Sequence, residues 1–106
     1  MLVEKSKFEV GNIINIKLVS GDEICGELVA QHDHGLEIRR PCVVVTSPEG
    51  IGLIQAMFGL DPDIENLVYK NEHIITRCHT HHKMREHYVD AMKQVDSGVT
   101  EGIIES

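Results

Sequence analysis

The sequence predicts a mainly β fold, a small and strongly bent five-stranded barrel followed by a C-terminal α-helix. Three observations predict it. Short runs with a two-residue apolar period recur between turn-forming Gly, Pro, Asp and Ser residues. One glycine, Gly26, interrupts such a run at mid-strand, where a missing side chain suits a sharp bend. From His81 onward the apolar period lengthens to that of a helix. At 106 residues the chain has the length of one domain, with the barrel expected over 11–80 and the helix over 81–97.

Each element follows in order. Over 13–19 (IINIKLV), Ile14, Ile16 and Leu18 alternate with Asn15 and Lys17, and Ser20-Gly21-Asp22 turns the chain. The next strand, over 23–32 (EICGELVAQH), places Ile24, Gly26, Leu28 and Ala30 on one face, completing a hairpin. His32-Asp33-His34-Gly35 is a second turn, leading to a third strand over 36–46 with Leu36, Ile38, Cys42 and Val44 as core positions. Proline donates no ladder hydrogen bond, so Pro41 is expected at an edge or bulge where this strand rounds a barrel corner. A turn at 47–50 precedes a fourth strand over 51–58 (IGLIQAMF), apolar enough to be covered on both faces, and residues 59–63 end it. A short extended piece over 67–70 leads to a last strand over 72–80. Met84, Tyr88, Ala91 and Val95 then mark an amphipathic helix, packed over the open end of the barrel and ended by Ser97-Gly98; a partner-docking surface is the rival role.

Composition excludes several classes. With 42% hydrophobic and 25% charged residues the chain is neither a disordered tail nor a fibre. No apolar run approaches the roughly 18 residues of a membrane span, and residues 1–10 carry charges where a signal peptide needs an apolar stretch. The three widely spaced cysteines, Cys25, Cys42 and Cys78, make no disulfide framework, so a reduced, cytoplasmic protein is expected. A net charge of -7 argues against sequence-blind binding to duplex nucleic acid. The charge is uneven: between Lys70 and Lys93 five basic residues face three acidic ones, and five of the seven histidines lie in the same stretch.

The stretch IKLVSGDEICGELVAQHDHGLEI resembles the first motif of the Sm and Sm-like (LSm) RNA-binding proteins, with Ile16, Leu18, Gly21, Ile24, Gly26 and Leu28 in its apolar and glycine positions. The resemblance implies a homo-oligomeric ring of five to seven subunits, in which strand four of one subunit pairs with strand five of the next. The apolar residues of 51–58 and 72–80 either meet across such a seam or fill one monomer's core. It further implies binding of single-stranded RNA or DNA at a rim or pore, in an accessory or chaperone role. In that family an Asp and an Asn before strand three help hold a base. Here Asp33 stands in that turn and no Asn does. The second family motif is echoed by Ile75-Thr76-Arg77-Cys78, which keeps the cation and replaces the glycine. Tyr69-Lys70 is similar to the start of the Tyr-Lys-His motif of the bacterial host-factor RNA chaperone, with Asn71 in place of its His. These relaxed positions and the appended helix resemble a divergent, phage-encoded member.

Single-strand binding needs flat side chains for stacking, polar groups for base edges and cations for phosphate. The candidates are His32, Asp33 and His34 in one turn, with Tyr69, Lys70, His73 and Arg77 near another, converging on one rim if the barrel is Sm-like. The ordinary roles are solvated turn residues for His32 and His34 and a salt bridge to a neighbouring subunit for Arg77. His79-Thr80-His81-His82 and His87 follow no recognised zinc spacing, so solvated, partly helix-capping side chains are expected and no metal or other cofactor. Phosphate-cradling glycine loops, G-x-S-x-G elbows and His-Glu-x-x-His pairs are missing, so no enzyme is expected. The rival function is a structural or protein-binding ring that takes no nucleic acid.

Overall fold

The computed structural model describes residues 8–56 and 64–96. Six strands and a helix follow in the order β1 (Ile13–Leu18), β2 (Glu23–His32), β3 (Gly35–Ser47), β4 (Gly50–Gln55), β5 (Asn66–Lys70), β6 (Ile74–His79) and α1 (His82–Asp96). Every strand pairing is antiparallel, in one sheet of order β4-β3-β2-β1-β6, with β5 also against β3. The mainly β fold expected from the sequence, a strongly bent sheet with one C-terminal helix, is the fold observed.

The sixth strand comes from an interruption. β5 lies along residues 35–39 of β3, and β4 along residues 42–47 of the same strand. At the gap, the Ala56 N–H donates to the Pro41 carbonyl at 3.2 Å and the Arg40 N–H donates to the Glu65 carbonyl at 2.6 Å. β4 and β5 are therefore two halves of one line of chain beside β3, parted where the sheet bends. The single strand expected over 51–58 ends at Gln55; Met57, Phe58 and the turn at 59–63 lie outside the described residues. Nor is β4 covered on both faces, since Ile51 is 57% and Ile54 42% exposed on a strand with one neighbour among the described residues. The extended piece at 67–70 belongs to β5, and the last strand starts at Ile74 because Asn71–His73 forms a 3-10 turn.

The bend is a β-bulge. Cys25 faces Cys42 and Glu27 faces Arg39, so the single residue Gly26 stands opposite two, Arg40 and Pro41. A side chain at position 26 would strike Ile38 and come within 3.1 Å of the Arg39 carbonyl oxygen and 3.3 Å of the Pro41 Cα, which is why the position is glycine. Arg40 takes a positive φ of 50°, a conformation costly for a side-chain-bearing residue. Pro41 thus lies in a bulge of a central strand, where its missing N–H leaves no ladder bond unmade.

Bending creates two apolar layers. Ile14, Ile16, Ile24, Leu28, Leu36 and Ile38 fill the concave side, with Phe8, Leu18, Val43, Tyr69 and Ile74 around them. On the opposite face Cys25 and Cys42 are buried beneath α1 through Tyr88, flanked by Met84 and Met92. The helix therefore covers the outer face of the β2–β3 ladder rather than the open end of the barrel. Its inward stripe is the buried Tyr88 with the half-buried Met84 and Met92, and Val95 is 52% exposed. The expected stop at Ser97-Gly98 lies outside the described residues. Two polar ties fix the helix: the Tyr88 hydroxyl donates to the Arg39 and Arg40 carbonyls at 2.9 and 3.0 Å, and Arg40 Nη2 donates to Asp96 Oδ1 at 2.7 Å. The Arg40 guanidinium also reaches Glu65 at 3.2 Å, and it holds both carboxyls below their ordinary range.

Candidate functional site

Two turns distant in sequence meet at one end of the sheet. β2 and β3 are joined by a two-residue hairpin turn, Asp33-His34, while β5 and β6 are joined by the Asn71–His73 turn. Asn71 binds the first turn twice: its backbone N–H donates to the His34 carbonyl at 2.9 Å, and its side-chain amide donates to the Asp33 carbonyl, also at 2.9 Å. Asparagine suits this place because its short amide satisfies turn carbonyls that no ladder reaches. Gly35 makes the approach possible. A Cβ there would strike the Tyr69 carbonyl and lie 3.0 Å from the Lys70 Cα.

The His32 and His34 rings stack with centroids 5.2 Å apart and an interplanar angle of 18°. Glu37 orients the first of them, its carboxylate 2.9 Å from His32 Nε2, while its other oxygen accepts from the Asn66 amide at 2.9 Å. The hydrogen bond from His32, then that from Asn66, holds the Glu37 carboxyl below its usual value. All of His32, Asp33 and His34 are exposed. They offer two flat rings and an acceptor, the groups that stack on a base and bond to its edge.

Beside them, Tyr69, Lys70 and His73 line an open cleft with Leu18, Val19, Ser20 and Val68. The Val19 N–H donates to the His73 carbonyl at 2.9 Å, closing the floor between the β1–β2 and β5–β6 turns. Tyr69 is half-buried against the concave core, and burial pushes its phenol up to about 12. It serves as a neutral wall, while Lys70 and His73 are the exposed polar groups. The structure thus brings together six of the seven residues expected from the sequence. Arg77 stands apart, mid-strand on β6 opposite Ile16, three residues beyond Ile74 and so about 10 Å along the strand from it. Lys70, at the end of β5, is the cation at the junction. Sequence reasoning missed Asn71 as the clasp and Glu37 and Asn66 as the orienting pair; a turn-forming asparagine directly after a strand was the available signal.

The second histidine cluster is divided among elements. His79 ends β6 with its ring 4.7 Å from Phe8, His81 and His82 stack at 4.4 Å, and His81 Nδ1 accepts from the Lys83 N–H at 3.1 Å as the helix begins. Among the described residues no three His, Cys, Asp or Glu side chains are grouped to hold a metal ion. No helix among them is long and apolar enough to cross a membrane.

No protein-family model and no curated protein matches the chain. Among solved structures it is similar to the SmAP1 heptamer of P. aerophilum, at 15% identity and a TM-score of 0.48 over 68% of this chain and 82% of that one. It is also similar to a heptameric archaeal Sm protein, at 15% identity and a TM-score of 0.48 over 68% of this chain and 90% of that one.

Proposed function

We propose that the chain assembles with copies of itself into a closed ring and binds a short single strand of RNA or DNA where the β2–β3 and β5–β6 turns meet. It acts as an accessory or chaperone, without chemistry of its own. The observation that carries this reading is the Asn71 clasp, which sets stacked His32 and His34 and the acceptor Asp33 beside Tyr69, Lys70 and His73. Flat rings, base-edge acceptors and a cation are what single-strand recognition requires.

Ring assembly is supported by the two edges of the sheet. Among the described residues β4 and β6 each have one strand neighbour, and they expose Ile51, Ile54 and Ile75. Unprotected apolar edges template pairing with another chain, and head-to-tail pairing that closes on itself removes both. Repetition around a ring turns one weak contact into avidity. The net charge of -7 favours a second reading, a ring of the same build that binds protein.

Fluorescence anisotropy with labelled U-rich, A-rich and mixed strands, at about 50 and about 200 mM salt, separates the two readings. Strand binding predicts affinity that falls with salt, and a further several-fold loss in Lys70→Ala at unchanged oligomer size. Failure to bind every strand at the lower salt would leave the protein-binding ring.

A further inference from the structure

Beneath α1 lies a pair of groups that the proposed nucleic-acid site does not use. Cys25 on β2 and Cys42 on β3 are direct partners in the antiparallel ladder, so their side chains leave the sheet on the same face. Both are free thiols and both are buried, at 0% and 7% exposure. Directly opposed residues in such a ladder have Cα atoms about 4.5–5.5 Å apart, inside the roughly 4.4–6.8 Å that a disulfide spans. The bulge of Gly26 against Arg40 and Pro41 begins at the next position, where the ladder is already locally adaptable.

We propose that Cys25 and Cys42 form a reversible dithiol–disulfide pair, closed by a small disulfide oxidant when α1 lifts from the sheet. The helix is the gate. Tyr88 buries both sulfurs, flanked by Met84 and Met92, and is held by its two hydrogen bonds to the bulge carbonyls. Burial also pushes both thiols up to about 11, so the docked form is inert and reaction waits for opening.

The chemistry balances with a glutathione-type disulfide. One cysteine thiolate attacks a sulfur of the reagent; the reagent S–S bond breaks, and one glutathione thiolate leaves and takes up the proton. The second cysteine then attacks the protein sulfur of the mixed disulfide, releasing the second glutathione. Two protein thiols lose two electrons and two protons, and one oxidised glutathione becomes two reduced ones. The product is a cross-strand bond that pins β2 to β3 beside the bend.

The test uses the 106-residue chain with Cys78→Ser, which removes the exposed thiol on β6 and leaves the pair intact. It is incubated with oxidised glutathione, quenched in acid, unfolded, alkylated and mapped by peptide mass. The expected result is simultaneous loss of both thiols and a linked Cys25–Cys42 peptide, restored to two thiols by dithiothreitol. Adding Tyr88→Phe removes one buried donor from the gate and speeds closure by up to roughly tenfold. Two thiols that remain alkylatable, or glutathione adducts without a cross-link, would overturn the pair. An unchanged rate in Tyr88→Phe would overturn the gate.

Discussion

Asn71 donates its backbone N–H to the His34 carbonyl at 2.9 Å, a bond between turns 37 positions apart in the chain. Its amide repeats the tie on Asp33. Asn71→Ala keeps the backbone bond and loses the side-chain one, at about 1 kcal/mol. The expected outcome is a modest drop in the urea midpoint with a larger loss of oligonucleotide affinity, read by the same anisotropy titration. Unchanged affinity would separate the two turns functionally.

Gly26 carries the bend. Gly26→Ala drives a methyl group against Ile38 and toward the Arg39 carbonyl, and a strain of about 1–3 kcal/mol is expected. Urea unfolding reads it as a lower midpoint at similar slope. A midpoint equal to that of the parent would mean the sheet does not approach itself so closely there.

That glycine was legible in the sequence because a glycine inside an alternating run has few physical explanations, and the hairpin, the Pro41 bulge and the helix were legible from periods and turn residues. Other features were not. β4 and β5 share one place beside β3, yet nothing local marks two runs separated by residues 56–65 as halves of one line. An amphipathic stripe states that α1 is covered on one side and leaves open what covers it, so the outer face of β2–β3 could not be told from the open end. Arg77 was drawn into the site by the resemblance of Ile75-Thr76-Arg77-Cys78 to the second family motif, whereas the ladder with Ile16 fixes it at mid-strand.

The buried thiols give an alkaline signature. Burial pushes Cys25 and Cys42 from 9.0 to about 11. Well below pH 9 both remain protonated folded or unfolded, and their contribution is fully present. Between pH 9 and about 11 the unfolded chain releases protons that the folded chain keeps, so stability falls as pH rises. Urea midpoints measured from about pH 8 to about pH 11 should decline more steeply in the parent than in the Cys25→Ala/Cys42→Ala double variant. Parallel declines would assign the loss to other groups.

Ile75, 62% exposed on the outer edge of β6, tests the seam without touching the core. Ile75→Lys places a charge where a neighbouring strand is to pair, and edge lysines oppose such pairing. Far-ultraviolet circular dichroism should be unchanged while sedimentation shows the ring dissociating to smaller species. A variant that keeps the parent's assembly would exclude β6 as the contact.

Native mass spectrometry of the untagged protein, alone and with short U-rich, A-rich and mixed strands, reads subunit number and bound strand in one spectrum. A closed oligomer of about five to seven copies that takes up about one strand per ring is the result ring assembly and single-strand binding predict. A monomer, or a ring that ignores every strand, would contradict it.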